Sequence, residues 1–141
     1  MDVALDTRGV ELALTADGEG IVGFEHAPTD AAQQTAVARA EEALRAGARL
    51  LSMAPAARCA LATVEVQSPY ATTSVAGGHA DWKASYRFEC ADAAAIMDLD
   101  FSGLFAAFPG LQTLKLQLIS SQGQTGANLT PSSPRMTVAG P

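Results

Sequence analysis

The sequence predicts an α+β domain, an antiparallel sheet with one main helix over about 30–46 and short helical turns covering one face. Two observations lead there. Several separate stretches alternate apolar and polar residues, the period of half-buried strands, whereas one long stretch repeats its apolar residues at helical spacing. Parallel strands would need a crossover helix between most consecutive pairs, and the helical stretches are too few to supply them.

Taken in order, Val3 and Leu5, then Val10, Leu12 and Leu14, alternate on either side of Asp6-Thr7-Arg8-Gly9, which reads as a hairpin. Ile21-Val22-Gly23-Phe24 is a third short apolar run, and Pro28 stops it from extending far. From Thr29-Asp30 the period changes. Val37, Ala40, Leu44 and Leu51 share a helical face, Arg39, Glu41, Glu42 and Arg45 lie elsewhere, Asp30 is placed to cap with Gln33 as reciprocal partner, and Gly47 is a stop.

After Pro55 the period returns to two. A strand runs from about 58 to 67 with Val64 and Val66 on one face, and Ser68-Pro69 ends it. Ala71 to Gly78 reads as a flexible connection. Then Trp82, Ala84, Tyr86 and Phe88 alternate with Lys83, Ser85, Arg87 and Glu89, the clearest strand in the chain. Short helical turns fit 92–108, with Ile96, Leu99, Phe101, Leu104, Phe105 and Phe108 as core residues and Pro109-Gly110 as their end. Leu114, Leu116 and Leu118 form the apolar face of another strand, which turns at Ser121-Gln122-Gly123-Gln124 into a last segment ending near Leu129. The expected organisation is a single domain over 1–130 and a disordered Pro/Ser-rich tail over 131–141.

At 141 residues the chain has room for one core. Fifteen acidic and nine basic residues give a formal charge of −6, which argues against nucleic acid and anionic membrane as partners, because both need clustered positive charge. No apolar run approaches the roughly eighteen residues of a spanning helix, so no membrane insertion is expected, and Met1-Asp2-Val3 lacks the basic start of a secretion signal. Cys59 and Cys90 are too widely spaced for a CxxC unit. They stand at the start of one strand and the end of the next, where they either pair with each other or remain buried thiols.

Chemistry-bearing groups are sparse. Gly18-Glu19-Gly20-Ile21-Val22-Gly23 matches GxGxxG, but Phe24 to Pro28 separates it from the main helix, so a glycine-rich turn between strands is the expectation rather than a dinucleotide site. Asp98 and Asp100 read as turn-forming carboxylates rather than an acid–base or cation pair. There is no GxSxG elbow, and His26 and His79 are the only imidazoles, which favours a binding protein over an enzyme. His79 and Asp81 are two apart at the start of the Trp82 strand and so project from one face, supplying two of the three or four ligands that zinc requires.

Gly23-Phe24-Glu25-His26-Ala27-Pro28, Ala57-Arg58-Cys59 leading into Val64-Glu65-Val66, and His79-Ala80-Asp81 with Tyr86-Arg87-Phe88-Glu89-Cys90 form an ordered series of anchors. With Leu104-Phe105, Phe108-Pro109, Leu111, Gly123-Gln124 and Leu129-Thr130, they closely resemble the ZrgA family of zinc-regulated periplasmic zinc-binding proteins, from Val3 to about Thr130. The resemblance implies a periplasmic location, zinc as the bound ion, and work alongside a zinc ABC transporter or its binding protein. It also implies a Cys59–Cys90 disulfide in an oxidising compartment, and zinc ligation by His26 and His79 with Asp81 and Glu25 as weaker candidates. Two family features are missing: the HxHG segment before the first strand, and the histidine- and acid-rich insert where Ala71 to Gly78 stands. The rival expectation is a metal-free interaction domain of the bacterial envelope that keeps the fold without a zinc site.

Overall fold

The computed structural model describes residues 1–70 and 81–138. The order of elements is β1 (Asp2–Asp6), β2 (Gly9–Asp17), α1 (Gly18–Val22), α2 (Ala31–Arg45), β3 (Cys59–Gln67), β4 (Asp81–Cys90), β5 (Asp98–Asp100), α3 (Ser102–Ala107), β6 (Leu114–Ser120), β7 (Gly123–Leu129) and β8 (Arg135–Thr137). Six strands form one sheet in the order β3-β4-β2-β1-β6-β7, and β5 with β8 forms a second, two-stranded sheet.

The predicted hairpin is present, with Asp6 opposite Gly9 and the Asp6 carboxylate accepting from the amides of Arg8 and Gly9 at 2.7 and 2.9 Å. Such a carboxylate satisfies turn amides that have no ladder partner. β4 shows the strict alternation predicted for it, its inward residues Trp82, Ala84, Tyr86, Phe88 and Cys90 all buried. One face of the large sheet therefore carries the core, together with Val3, Val10, Leu12, Leu116 and Leu118. The opposite face presents Glu11, Ala13, Lys83, Ser85, Lys115 and Ile119 to solvent.

α2 lies on the core face through Val37, Ala40 and Leu44. Asp30 caps it by accepting from the Gln33 amide at 2.8 Å, while the Gln33 side chain accepts from Thr29, one residue earlier than the reciprocal box predicts. The buried Tyr86 hydroxyl donates to the Leu44 carbonyl at 2.6 Å and pins the end of the helix to the sheet. Gly47 is not the stop but opens a 3-10 turn over Gly47–Arg49. Its missing side chain matters because a Cβ there would collide with the Tyr86 ring.

Four further expectations are corrected. The sheet is mixed rather than antiparallel, since β1 pairs with β6 in parallel. Those strands lie at opposite ends of the chain, so the rest of the fold serves as the crossover that consecutive strands would lack. The run at 21–24 is not extended: the glycine-rich segment forms α1, ended by Gly23 in the left-handed conformation at φ 89°. The stretch 92–108 is not helical throughout, because β5 interrupts it and pairs with β8. That pairing also overturns the disordered tail as far as residue 138, with Met136 and Val138 buried. Residues 139–141 lie outside the described residues.

Cys59 and Cys90 stand opposite each other across β3 and β4 and form a disulfide. An irregularity between Leu61 and Thr63 shifts the register of β3. Cys59 and Leu61 before it, and Val64 and Val66 after it, can then all meet inward residues of β4, although the two pairs differ in parity.

Candidate metal site

The amino-terminal end of β4 lies next to the carboxy-terminal end of β2, with Asp81 opposite Asp17. The Asp17 carboxylate is already engaged: it caps α1 by accepting from the Gly20 amide at 2.8 Å. The free amide of this one-turn helix faces a carboxylate of its own chain, and the strand before it pairs antiparallel on both sides, unlike a dinucleotide-binding unit.

After Gly23 the chain runs into the loop that carries Glu25 and His26. A series of rings ties this loop to β4. His26 stacks on Phe24 with centroids 5.0 Å apart, Phe24 on Tyr70 at 6.2 Å, and Tyr70 meets Trp82 edge-on at 5.9 Å. The Tyr70 hydroxyl also donates to the Phe24 carbonyl, at 3.3 Å. Burial, and then the negative charge of Glu25, push the Tyr70 phenol above its ordinary pKa, so Glu25 belongs to the same neighbourhood. The indole Nε1 of Trp82 meets no acceptor in hydrogen-bond geometry among the described residues.

His26 is exposed, and its Nδ1 lies 2.8 Å from the Ala27 carbonyl. A carbonyl only accepts, so in this hydrogen bond Nδ1 carries the proton. In the neutral ring Nε2 then keeps the lone pair, the tautomer that a backbone carbonyl commonly fixes in metal-binding histidines.

Of the sequence-derived ligands, Glu25 and His26 share one loop, and Asp81 is the residue before Trp82, where the ring series ends. His79 lies outside the described residues. Among the described residues no three His, Cys, Asp or Glu side chains converge as a ligand cluster. Cys59 and Cys90 are consumed by the disulfide and offer no thiolate. Asp98 and Asp100 are strand residues, and Asp100 is occupied, accepting from the Ser102 amide at 2.9 Å and from Arg135 at 3.2 Å. The Ser102 amide foremost, and then the Ser102 side chain and Arg135, hold the Asp100 carboxyl below the ordinary aspartate range. Sequence reasoning missed Tyr70 and Asp17. Asp17 was legible as a cap before Gly18, but nothing local marks Tyr70 as the link between loop and sheet.

A model of the family described as ZrgA family zinc uptake protein matches residues 1–138. No curated protein matches the chain.

Proposed function

The chain belongs to the ZrgA family of zinc uptake proteins, and from that premise we propose that it is a non-enzymatic periplasmic protein that binds zinc and buffers or passes it on during uptake. The observation that carries this reading is the exposed His26, whose Nδ1 contact with the Ala27 carbonyl leaves Nε2 as the nitrogen with a lone pair to offer a metal. His79, two residues before Asp81, supplies the second imidazole, and Asp81 supplies a carboxylate. Zinc accepts nitrogen and oxygen donors of this kind, and a set of fewer than four protein ligands leaves positions open to water or to a receiving protein. Such openness suits an ion that must be released. A zinc ABC importer or its binding protein is the recipient this role requires. The Cys59–Cys90 disulfide supports the location, because such bonds persist in the periplasm and are rare in the cytosol. Among the described residues no helix is long and apolar enough to cross a membrane.

The test is a calorimetric zinc titration of wild type beside His26→Ala and His79→Ala. One zinc per chain is expected, weakened by roughly tenfold or more in each variant, since each removes one of few ligands. Absence of binding would sink the zinc reading and leave the metal-free interaction domain, whereas binding unchanged in both variants would place the zinc away from these two histidines.

A further inference from the structure

The two edges of the large sheet are protected very differently. Along β3 the register is broken between Leu61 and Thr63, Glu65 adds a charge, and α2 and the Gly47–Arg49 turn pack close by. A bulge, a charge and a covering element are the usual devices that keep an edge from pairing with another strand. β8 is the element that packs near β7, which has neither a bulge nor a charge. Its sequence Gly123-Gln124-Thr125-Gly126-Ala127-Asn128-Leu129 holds no charge and no proline, and Gly123 to Gly126 and Asn128 are exposed. Among the described residues no strand pairs with its outer side.

From this contrast we infer that β7 is the site of homodimer formation, pairing antiparallel with β7 of a second copy about a two-fold axis at Gly126. Charge selects this occupant. Two copies carrying −6 each repel over most of their surfaces, but the hairpin of β6 and β7 carries a single charged residue, the basic Lys115. The proposed register is self-complementary. Gln124 of one copy faces Asn128 of the other, twice by symmetry, and amides offer both donor and acceptor. Thr125 faces Ala127 in the same way. At the centre two glycines meet. The Gln117 amide already lies over Gly126, its Nε2 3.1 Å from the place a Cβ would occupy, so two such amides flank the axis. Seven residues of edge pairing make a small interface, and dissociation in the range of about 1–100 µM is expected.

Sedimentation velocity across that range decides the matter. Wild type should shift with concentration from the 14.5 kDa of one chain to twice that mass. Gln124→Glu combined with Asn128→Glu sets like charges opposite each other at two points and should hold the protein monomeric, while Glu at 128 has Lys115 as its neighbour within the chain. Gln124→Lys combined with Asn128→Glu sets opposite charges across the same points and should restore the dimer. Circular dichroism melts of both variants close to wild type confirm that the hairpin is folded. Wild type monomeric at every concentration overturns the inference and leaves the edge to a strand of another protein. A dimer that survives the paired glutamates overturns it as well, by placing the interface elsewhere.

Discussion

At its carboxy-terminal end β4 is fastened by covalent and ionic contacts, whereas its amino-terminal end, about 30 Å away for ten extended residues, is held by ring packing. At the first end Cys90 is bonded to Cys59, and its amide donates to Arg8 at 2.8 Å. The amides of Ala91 and Asp92 donate back to Arg58 and Ala57, and Arg87 reaches Asp6, Glu11 and Glu89. At the second end Trp82, Tyr70, Phe24 and His26 touch in series, with one long hydrogen bond between Tyr70 and Phe24. The difference separates stability from adaptability. The end held by a few ring contacts and one long hydrogen bond is the one that opens more readily, while the fastened end keeps the sheet in register.

The strongest way to break this comparison is to unfasten the first end. Cys59→Ser with Cys90→Ser opens a loop of 31 residues and should cost about 3–4 kcal/mol in urea denaturation on the chain-entropy model. Zinc affinity in the folded protein should stay within about twofold, because the lost constraint acts mainly on the unfolded chain. A large loss of affinity in the folded variant would show that the two ends are coupled.

The complementary change is made at the second end. Tyr70→Ala removes the ring between Phe24 and Trp82 and should destabilise by roughly 1–2 kcal/mol. Its zinc affinity should fall by about five- to tenfold as the His26 loop loses its support, in the manner of outer-shell partners of metal ligands. Tyr70→Phe keeps the ring and loses only a 3.3 Å hydrogen bond, so both effects should nearly vanish. Calorimetry on the pair checks this, and Tyr70→Ala with wild-type affinity would mean that the ring series does not position His26.

Part of each end was legible in the sequence and part was not. The alternation from Trp82 to Phe88 and the cap at Asp30 are local signals, and the structure follows both. The partner of β1 was not legible, because parallel pairing with β6 depends on residues more than a hundred positions away. β5 and β8 are three residues each, too short to show a period. The break between Leu61 and Thr63 hid the common face of Cys59 and Cys90, since parity counted along β3 fails across it. At the candidate site, the identity of His26 and Glu25 came from their resemblance to a family, but the tautomer of His26 depends on a backbone carbonyl and the support of the loop on Tyr70, neither of which a residue pattern encodes.

The smallest expected effect separates the two ends by pH. The Arg87 guanidinium foremost, and then the Arg8 amide, hold the Asp6 carboxyl below the ordinary aspartate value of 3.8. The proton is therefore bound more tightly in the unfolded chain. Asp6 contributes its stability in full above the unfolded value, and this is lost as pH falls through the lower folded one. Asp6 is half exposed, so the contribution is under about 1 kcal/mol and shrinks with salt. Asp6→Asn keeps an acceptor for the turn amides and removes the charge. It should be less stable than wild type by about 0.5 kcal/mol near neutrality at low salt, and the two should converge once acid has neutralised Asp6 in both states. Tyr70→Phe measured over the same acid range should show a flat difference from wild type, because the phenol, already raised by burial, stays neutral throughout. Urea midpoints for both variants against pH provide the check. A difference for Asp6→Asn that does not narrow in acid would show that its charge contributes nothing to the fastened end, leaving the disulfide and the backbone bonds to hold it.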